Sequence, residues 1–440
     1  MTRIQAPFSP QALWRRQLPQ IVGCDAATLS KRVVQCQRTL PAPPGLVIVS
    51  AADPIEFLIR FFAALLNNNT LALGNPRWEE QEWQQVKQQL QPNRQDLEFI
   101  TARSPEATYP GAILIPTSGT TGQPRFVIHT WETLVASAQG FLRHFGAAQA
   151  HVYCVLPLYH VSGLMQVLRA WISGGKIVIQ PFQDVLTGRR LSLPQENRFI
   201  SLVPTQLQRL LKVGQANWLA EFRAILLGGA PAWPSLLDTA AHLPISLTYG
   251  MSETAAQVAT LPPEDFAAGN RSSGAVLRHA QIEIVSSTGA VLPAESVGQL
   301  RIQAKSLAVG YWGEPAFGEH FYPDDVGYLD QAGYLHILGR NSQKIITGGE
   351  NVFPSEVEAA LRATGQIEDI CVLGLPDEDW GQVVAAVYVP ASAKSTPARL
   401  KQALVGQISA YKHPKKWLAV PALPRNAQGK LNRQQVIALL

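Results

Sequence analysis

The sequence predicts an α/β protein: a large N-terminal domain of layered sheets and helices over residues 1–340, and a small α+β C-terminal domain over residues 341–440. Two observations carry this. Short β-branched runs alternate with helical patterns over the first three quarters of the chain, the mark of α/β layers with a substantial parallel component. Near residue 341 a fresh helix–strand–strand–helix unit begins and ends in a basic tail.

The predicted strands of the large domain are Leu46–Ser50, Leu97–Thr101, Ala112–Pro116, Val152–Leu156, Lys176–Gln180, Phe199–Val203, Ala224–Leu227 and Ile245–Tyr249. Helical spacing fills many of the gaps, at Pro54–Leu66, Glu79–Gln89, Thr130–Phe145 and Thr205–Val213. The unbroken apolar run at 112–115 suits a strand covered on both faces. After about residue 275, Gln281–Val285, Gly298–Ile302 and Tyr334–Leu338 read as strands between Gly- and Asp-rich turns. In the small domain the helices are Pro354–Ala363 and Pro397–Ile408, and the strands Ile367–Leu373 and Val383–Val389.

Composition narrows the function. Of 440 residues 46% are hydrophobic and 16% charged, with a formal net charge of +5. That excludes a disordered chain. The basic residues are scattered, which weakens the case for a nucleic-acid binder. Cys24, Cys36, Cys154 and Cys371 lie far apart with no CxxC pair, so neither a zinc site nor a disulfide framework is expected. Residues 1–18 lack the apolar core of a signal peptide, and the apolar stretch Ile55–Leu66 carries Glu56 and Arg60 and is too short to span a bilayer. A reducing, cytoplasmic setting is the expectation.

The sharpest segment is Pro116-Thr-Ser-Gly-Thr-Thr-Gly-Gln-Pro-Arg125, after a predicted strand. Its glycines allow close backbone approach, and Thr117, Ser118, Thr120 and Thr121 offer hydroxyl donors, so backbone and side chains together suit a polyphosphate. It is not the GxxxxGK[ST] loop, because no Lys follows the second glycine. Taken alone, it would equally be a flexible turn.

Further segments follow in order. These are Gly228-Gly-Ala-Pro231, Tyr249-Gly-Met-Ser-Glu-Thr254, Asp324-Asp-Val-Gly-Tyr328, Gly339-Arg340 with Gly348-Gly-Glu-Asn351, and Pro424-Arg-Asn-Ala-Gln-Gly-Lys430. Together with the 116–125 loop they resemble the motifs of the adenylate-forming enzymes: acyl-CoA synthetases, peptide-synthetase adenylation domains and firefly-type luciferases. The resemblance spans residues 116 to 430.

It implies a mobile C-terminal domain and a set of roles. ATP would be bound by Thr117, Ser118, Gly119, Thr120, Thr121, Gly122, Gly229, Ala230, Pro231, Tyr249, Ser252, Asp325, Arg340 and Lys430. Lys430, Glu253 and Thr121 would be catalytic, with Glu253 holding Mg²⁺. The residue types suit these roles. A carboxylate attacking the α-phosphorus needs its charge screened by a cation, Mg²⁺ prefers oxygen ligands, and a tyrosine face suits adenine stacking. Plainer readings stand beside them: a core tyrosine at 249, a turn aspartate at 325, a helix N-terminal glutamate at 253 and an interdomain ion pair at Arg340. Two positions depart from the family pattern. Arg125 stands where Lys is usual, and Asn341-Ser342-Gln343 where acidic or Lys residues are usual, with Ser342 at the pivot of the hinge.

The segment Thr347-Gly-Gly-Glu-Asn-Val-Phe-Pro354 resembles the acyl-CoA synthetase version, implying coenzyme A as acceptor with Gly348 and Gly349 beside it. A simple glycine turn is the alternative. Leu156-Pro-Leu-Tyr-His-Val-Ser-Gly-Leu164 and the stretch from Tyr249 to Leu261 are similar to one subfamily, the o-succinylbenzoate–CoA ligases of menaquinone and phylloquinone synthesis. That implies an aromatic dicarboxylic acid substrate, with His160, Ser162, Gly250 and Thr254 lining its pocket. Arg169, Lys176, Arg209 and Arg278 are candidates for its second carboxylate. The rival classes are a ligase for another aryl or fatty acid, a non-catalytic nucleotide-binding relative and, remotely, a luciferase-like oxidase.

Overall fold

The computed structural model describes residues 9–43, 45–90, 101–102, 110–118, 124–425 and 431–440. Among them, two large sheets face each other across a helical layer. The first runs, in spatial order, Gln20–Ile21, Lys176–Ile179, His151–Cys154, Arg198–Leu202, Ala224–Leu227, Ile245–Met251, Ala256–Thr260 and Ala275–Val276. Its strands are parallel up to Ile245–Met251, and the last two pairings are antiparallel. The second runs Gly310–Tyr311, Pro124–His129, Ile113–Ser118, Thr70–Leu73, Leu46–Val49 and Thr101–Ala102.

Strand alternation divides each sheet's side chains between two cores. Val152 and Cys154 enter the central core, whereas Tyr153 and Val155 enter the outer one. Ile113 and Ile115 likewise point to the central core, and Ala112 and Leu114 to the opposite face. The run at 112–115 is therefore covered on both sides, as its composition predicts. Helices Pro54–Leu66, Trp131–His144 and Val161–Ser173 fill the space between the sheets. Phe57, Phe61 and Phe62 are wholly buried there, each side chain contributing roughly 1.5–3 kcal/mol from burial. The two charges in that apolar helix pair with each other, Arg60 Nε to Glu56 Oε1 at 3.1 Å.

A third, antiparallel sheet joins Ala280–Val285, Gly298–Ala304, Asp325–Leu329 and Leu335–Arg340. Beyond it, Ile345–Thr347, Glu350–Val352, Ile367–Asp377, Gly381–Pro390 and Lys416–Ala419 form a separate sheet backed by helices Pro354–Ala363 and Pro397–Leu404. The hydrophobic clusters on the two sides of residue 340 share no member.

Several expectations need adjustment. The strand expected at Leu97–Thr101 falls largely outside the described residues, and Thr101–Ala102 is extended. The helix expected to reach Ile408 ends at Leu404, where Val405 turns extended and Gly406 takes φ +79°. Strands Thr70–Leu73, Pro124–His129 and Ala256–Thr260, and helix Val161–Ser173, were not expected. The first two strands are short and flanked by Asn or Pro. The helix begins inside the Leu156–Leu164 motif, at Val161, so Gly163 lies in its first turn.

Candidate functional site

The motifs gather at one end of the parallel strands. Gly228–Pro231 leaves strand Ala224–Leu227, Tyr249 lies near the end of Ile245–Met251, and His160 follows strand His151–Cys154. In an open parallel sheet, ligands bind outside these carboxyl ends. Gly228 is required on steric grounds, because a Cβ there would lie 2.4 Å from Thr248 Oγ1. Gly229 has φ +79°, and it, Ala230 and Pro231 are exposed.

Tyr249 and Asp325 meet directly: the phenol donates to Asp325 Oδ2 at 2.7 Å. Burial, and then the neighbouring Asp325 carboxylate, push the Tyr249 phenol well above its usual pKa, so it stays a donor. Arg340 Nε lies 3.6 Å from Asp325 Oδ1, its side chain largely exposed.

Glu253 sits in a single 3₁₀ turn, Ser252–Thr254, between two strands. Ala255 and Ala256 after it take φ +51° and +84°, a region costly for residues with a Cβ. Contacts from several elements hold this strained turn. Thr254 is buried, and its Oγ1 lies 2.7 Å from the Ala256 carbonyl and takes the Met251 N–H at 3.2 Å. Ser137 Oγ donates to the Ala255 carbonyl at 2.5 Å. The Ser252 carbonyl lies 2.7 Å from His129 Nε2, and burial lowers that imidazole's pKa to about 4. Thr254 thus shapes the turn from beneath, and Gly250 admits the backbone of Ala256, whose carbonyl oxygen a Cβ would meet at 2.1 Å. Glu253 itself accepts a hydrogen bond from the Tyr311 hydroxyl at 2.7 Å.

Gly119, Thr120, Thr121, Gly122 and Lys430 lie outside the described residues. Ser118 ends strand Ile113–Ser118, and the Thr117 hydroxyl donates to the Arg125 carbonyl at 3.4 Å. Arg425 and Leu431, on either side of Lys430 in sequence, pair in an antiparallel bridge.

His160 precedes helix Val161–Ser173, its ring 4.5 Å from that of Tyr159. Ser162 is exposed and its carbonyl accepts from Gln166 Nε2 at 2.8 Å. On the same helix lies Arg169, only 3% exposed. Its Nη2 donates to Gln257 Oε1 at 2.7 Å, its guanidinium lies 4.4 Å over the Phe141 ring, and its Nε has no partner. Burial lowers its pKa to about 9, so it remains charged at neutral pH. Among the described residues it has no carboxylate partner. Gln166 Oε1 and both ring nitrogens of His279 are also buried without partners. Gln257 lies directly across the ladder from Gly250, so this polar cluster is one strand from Tyr249. Lys176, Arg209 and Arg278 are exposed.

Gly348 and Gly349 form the turn of the hairpin joining Ile345–Thr347 to Glu350–Val352, at φ +58° and +86°. Two left-handed residues in such a turn favour glycine. Gly348 also packs against Trp380, whose ring a Cβ would meet at 2.7 Å, whereas Gly349 faces open space. Ser342 begins the small unit: its N–H lies 3.2 Å from both carboxylate oxygens of Asp324, and its hydroxyl donates to Asp324 Oδ2.

Sequence reasoning missed Tyr311, His129 and Trp233. Trp233 packs under Arg362 of the small unit, 4.8 Å from its guanidinium. Each is a lone residue without a local pattern, and only the tertiary pairing reveals it. Gln257 was within reach, since it belongs to the Tyr249–Leu261 stretch that carries the subfamily resemblance.

The chain matches the AMP-binding enzyme model over residues 67–312 and the model of that family's C-terminal domain over residues 356–430. It is 35% identical over 340 residues to the 2-succinylbenzoate–CoA ligase of Geobacillus sp. strain WCH70, covering 75% of this chain and 69% of that one. Among solved structures, the Bacillus subtilis o-succinylbenzoate CoA synthetase in complex with the acyl-adenylate intermediate OSB-AMP superposes with a TM-score of 0.83 at 25% identity over 98% of both chains. A double mutant of that synthetase bound with its product analogue OSB-NCoA gives 0.65 at the same identity and coverage.

Proposed function

The chain belongs to the AMP-binding enzymes, and we propose that it ligates o-succinylbenzoate to coenzyme A through an acyl-adenylate, releasing pyrophosphate and AMP. The observation that carries the choice of acid is Arg169. A buried guanidinium with only a neutral amide partner is costly, and an anionic ligand end would satisfy it. It stands one strand from Gly250. An acid activated beside Tyr249 and Gly250 would place a second carboxylate there, while His160 and Ser162 line the way.

In the first step a carboxylate oxygen of the acid attacks the α-phosphorus, the bond to the β-phosphate oxygen breaks, and pyrophosphate leaves. Lys430 neutralises charge on the α-phosphate and the attacking carboxylate. The loop residues Thr117 to Gly122 hold the phosphates, Gly229 to Pro231 and Tyr249 the adenine, and Asp325 with Arg340 the ribose. Glu253, together with the phosphates, would hold Mg²⁺, a hard cation that prefers oxygen ligands, and the ion would screen the phosphate charge. In the second step the small unit, residues 341–440, turns about Ser342 and brings Gly348 and Gly349 beside the pantetheine arm. The thiol sulfur attacks the acyl carbon, the bond from that carbon to the AMP phosphate oxygen breaks, AMP departs and the thiol proton passes to water. We place the reaction in the cytoplasm, the expected setting for ATP and coenzyme A.

The test is direct. Purified protein with ATP, Mg²⁺, coenzyme A and o-succinylbenzoate should form the aryl-succinyl thioester. Strong preference for benzoates or fatty acids would refute the choice of acid, and nucleotide binding without turnover on any acid would refute the ligase reading.

A further inference from the structure

Arg125 ends the Pro116–Arg125 motif, yet its guanidinium is engaged on the far side of its strand pair. Nη2 lies 2.7 Å from Glu314 Oε2 and 2.8 Å from Oε1, with Nε 3.2 Å from Oε1. The same guanidinium lies 3.7 Å over the Tyr311 ring. Tyr311 in turn donates its phenol hydrogen to Glu253 Oε1 at 2.7 Å. Phe317 meets the Tyr311 ring edge-on at 5.0 Å.

The backbone reinforces this chain of contacts. Tyr311 pairs with Val127, two residues from Arg125, in an antiparallel ladder. The Val309 N–H donates to the Ile128 carbonyl at 2.9 Å, and the Ala308 N–H to the Glu253 carbonyl at 2.8 Å. Residues 308–314 therefore grip the Glu253 turn and the strand leaving the phosphate loop together.

We propose that Tyr311 is a positioning residue for the magnesium-binding carboxylate of Glu253, and that Arg125 is its brace and not a phosphate ligand. The proposal rests on the reading of Glu253 given above. A glutamate carboxylate rotates freely unless one oxygen is tied down, and a fixed donor leaves the other lone pairs aimed at a metal. Arginine suits the brace because one planar group forks onto Glu314 and stacks on Tyr311 at once. An ammonium is a point charge and cannot do both. The departure from the family's usual Lys at this position thus acquires a reason.

The experiment is calorimetric titration of ATP into the full chain, once with Mg²⁺ and once with EDTA. Tyr311→Phe should weaken ATP binding in Mg²⁺ by roughly 10-fold or more and leave binding in EDTA unchanged. Arg125→Lys and Glu314→Gln should shift the Mg²⁺ value in the same direction by less. Both side chains are more than a third exposed, so these variants should fold even if Tyr311→Phe does not. Equal loss with and without Mg²⁺ would mark a structural role and overturn the proposal. Arg125→Lys behaving as wild type would overturn the brace. A wild-type affinity indifferent to Mg²⁺ would overturn the Glu253 reading beneath it, a failure visible before any variant is made.

Discussion

The Tyr249 hydroxyl donates to Asp325 Oδ2 at 2.7 Å while Arg340 stands 3.6 Å from Oδ1. Strand Ile245–Met251 of the large sheet and the head of strand Asp325–Leu329 are thereby tied through one carboxylate. On the proposed function, Asp325 would be held in place before the ribose arrives. Tyr249→Phe keeps the ring for adenine and removes the donor. Hydrogen bonds to charged groups contribute about 1.5–3 kcal/mol, so the KM for ATP in pyrophosphate exchange should rise about 10-fold, with kcat little altered. A fall in kcat at unchanged KM would contradict this ordering role.

Arg169 is the second test. Arg169→Met keeps an unbranched, flexible side chain, shorter than arginine, and removes the charge. Replacing a buried charge with an apolar group is often neutral or stabilising, so the variant should fold. Its KM for o-succinylbenzoate should rise by roughly 10²-fold, as expected when a charge-assisted pair is lost. A substrate analogue lacking the second carboxylate should be affected far less. Equal effects on both acids would remove Arg169 from the acyl pocket.

These two sites show what was legible in the sequence and what was not. Tyr249, Glu253 and Asp325 stood out because motif residues are local, and the fold brings them to one end of the sheets. Arg169 was one of four candidate cations, and only burial separates it from Lys176, Arg209 and Arg278. Strand 113–118 was foreseen from its apolar run, whereas Ala256–Thr260 was not, because it follows the 3₁₀ turn directly through Ala255 and its own first residue, Ala256, both in left-handed backbone. Tyr311 lay beyond sequence reasoning: its role arises from a pairing with Val127, 184 residues away in the chain.

The hinge supplies a third prediction. On the proposed function the small unit would turn about Ser342 between the two half-reactions. Here the Ser342 hydroxyl is bound to Asp324. Ser342→Ala loosens that tether. With about 0.5–1.5 kcal/mol per hydrogen bond, the rate of thioester formation relative to adenylation should rise about 2- to 10-fold. A lowered ratio in separate half-reaction assays would count against it.

Lys430 is expected to act in one half-reaction only. Lys430→Ala should slow adenylation by roughly 10²–10³-fold, the usual loss for a charge-stabilising contact. Thioester formation from supplied acyl-adenylate should remain largely intact, since on the proposed function the lysine would have no part in the second half-reaction. Equal loss in both half-reactions would contradict this division.

Two buried histidines should weaken the fold in acid. Burial lowers the pKa of His129 from 6.5 to about 4, and that of His279 to about 4 with Arg169 and Arg143 adding to the effect. The folded protein therefore holds both rings neutral while the unfolded chain protonates them below 6.5. The unfolded state binds more protons between about pH 6.5 and 4, so stability falls as the pH drops through that window. Each histidine should cost about 2 kcal/mol by pH 5 relative to pH 7. His129→Gln keeps an N–H for the Ser252 carbonyl and cannot be protonated in this range. Chemical denaturation at pH 7 and pH 5 should show a smaller drop in midpoint for this variant than for wild type. For His279 the loss should shrink when o-succinylbenzoate is present, because an anion beside Arg169 offsets the positive charge that disfavours imidazolium. An unchanged midpoint between pH 7 and 5 in the wild type would mean that these rings are not held neutral by burial.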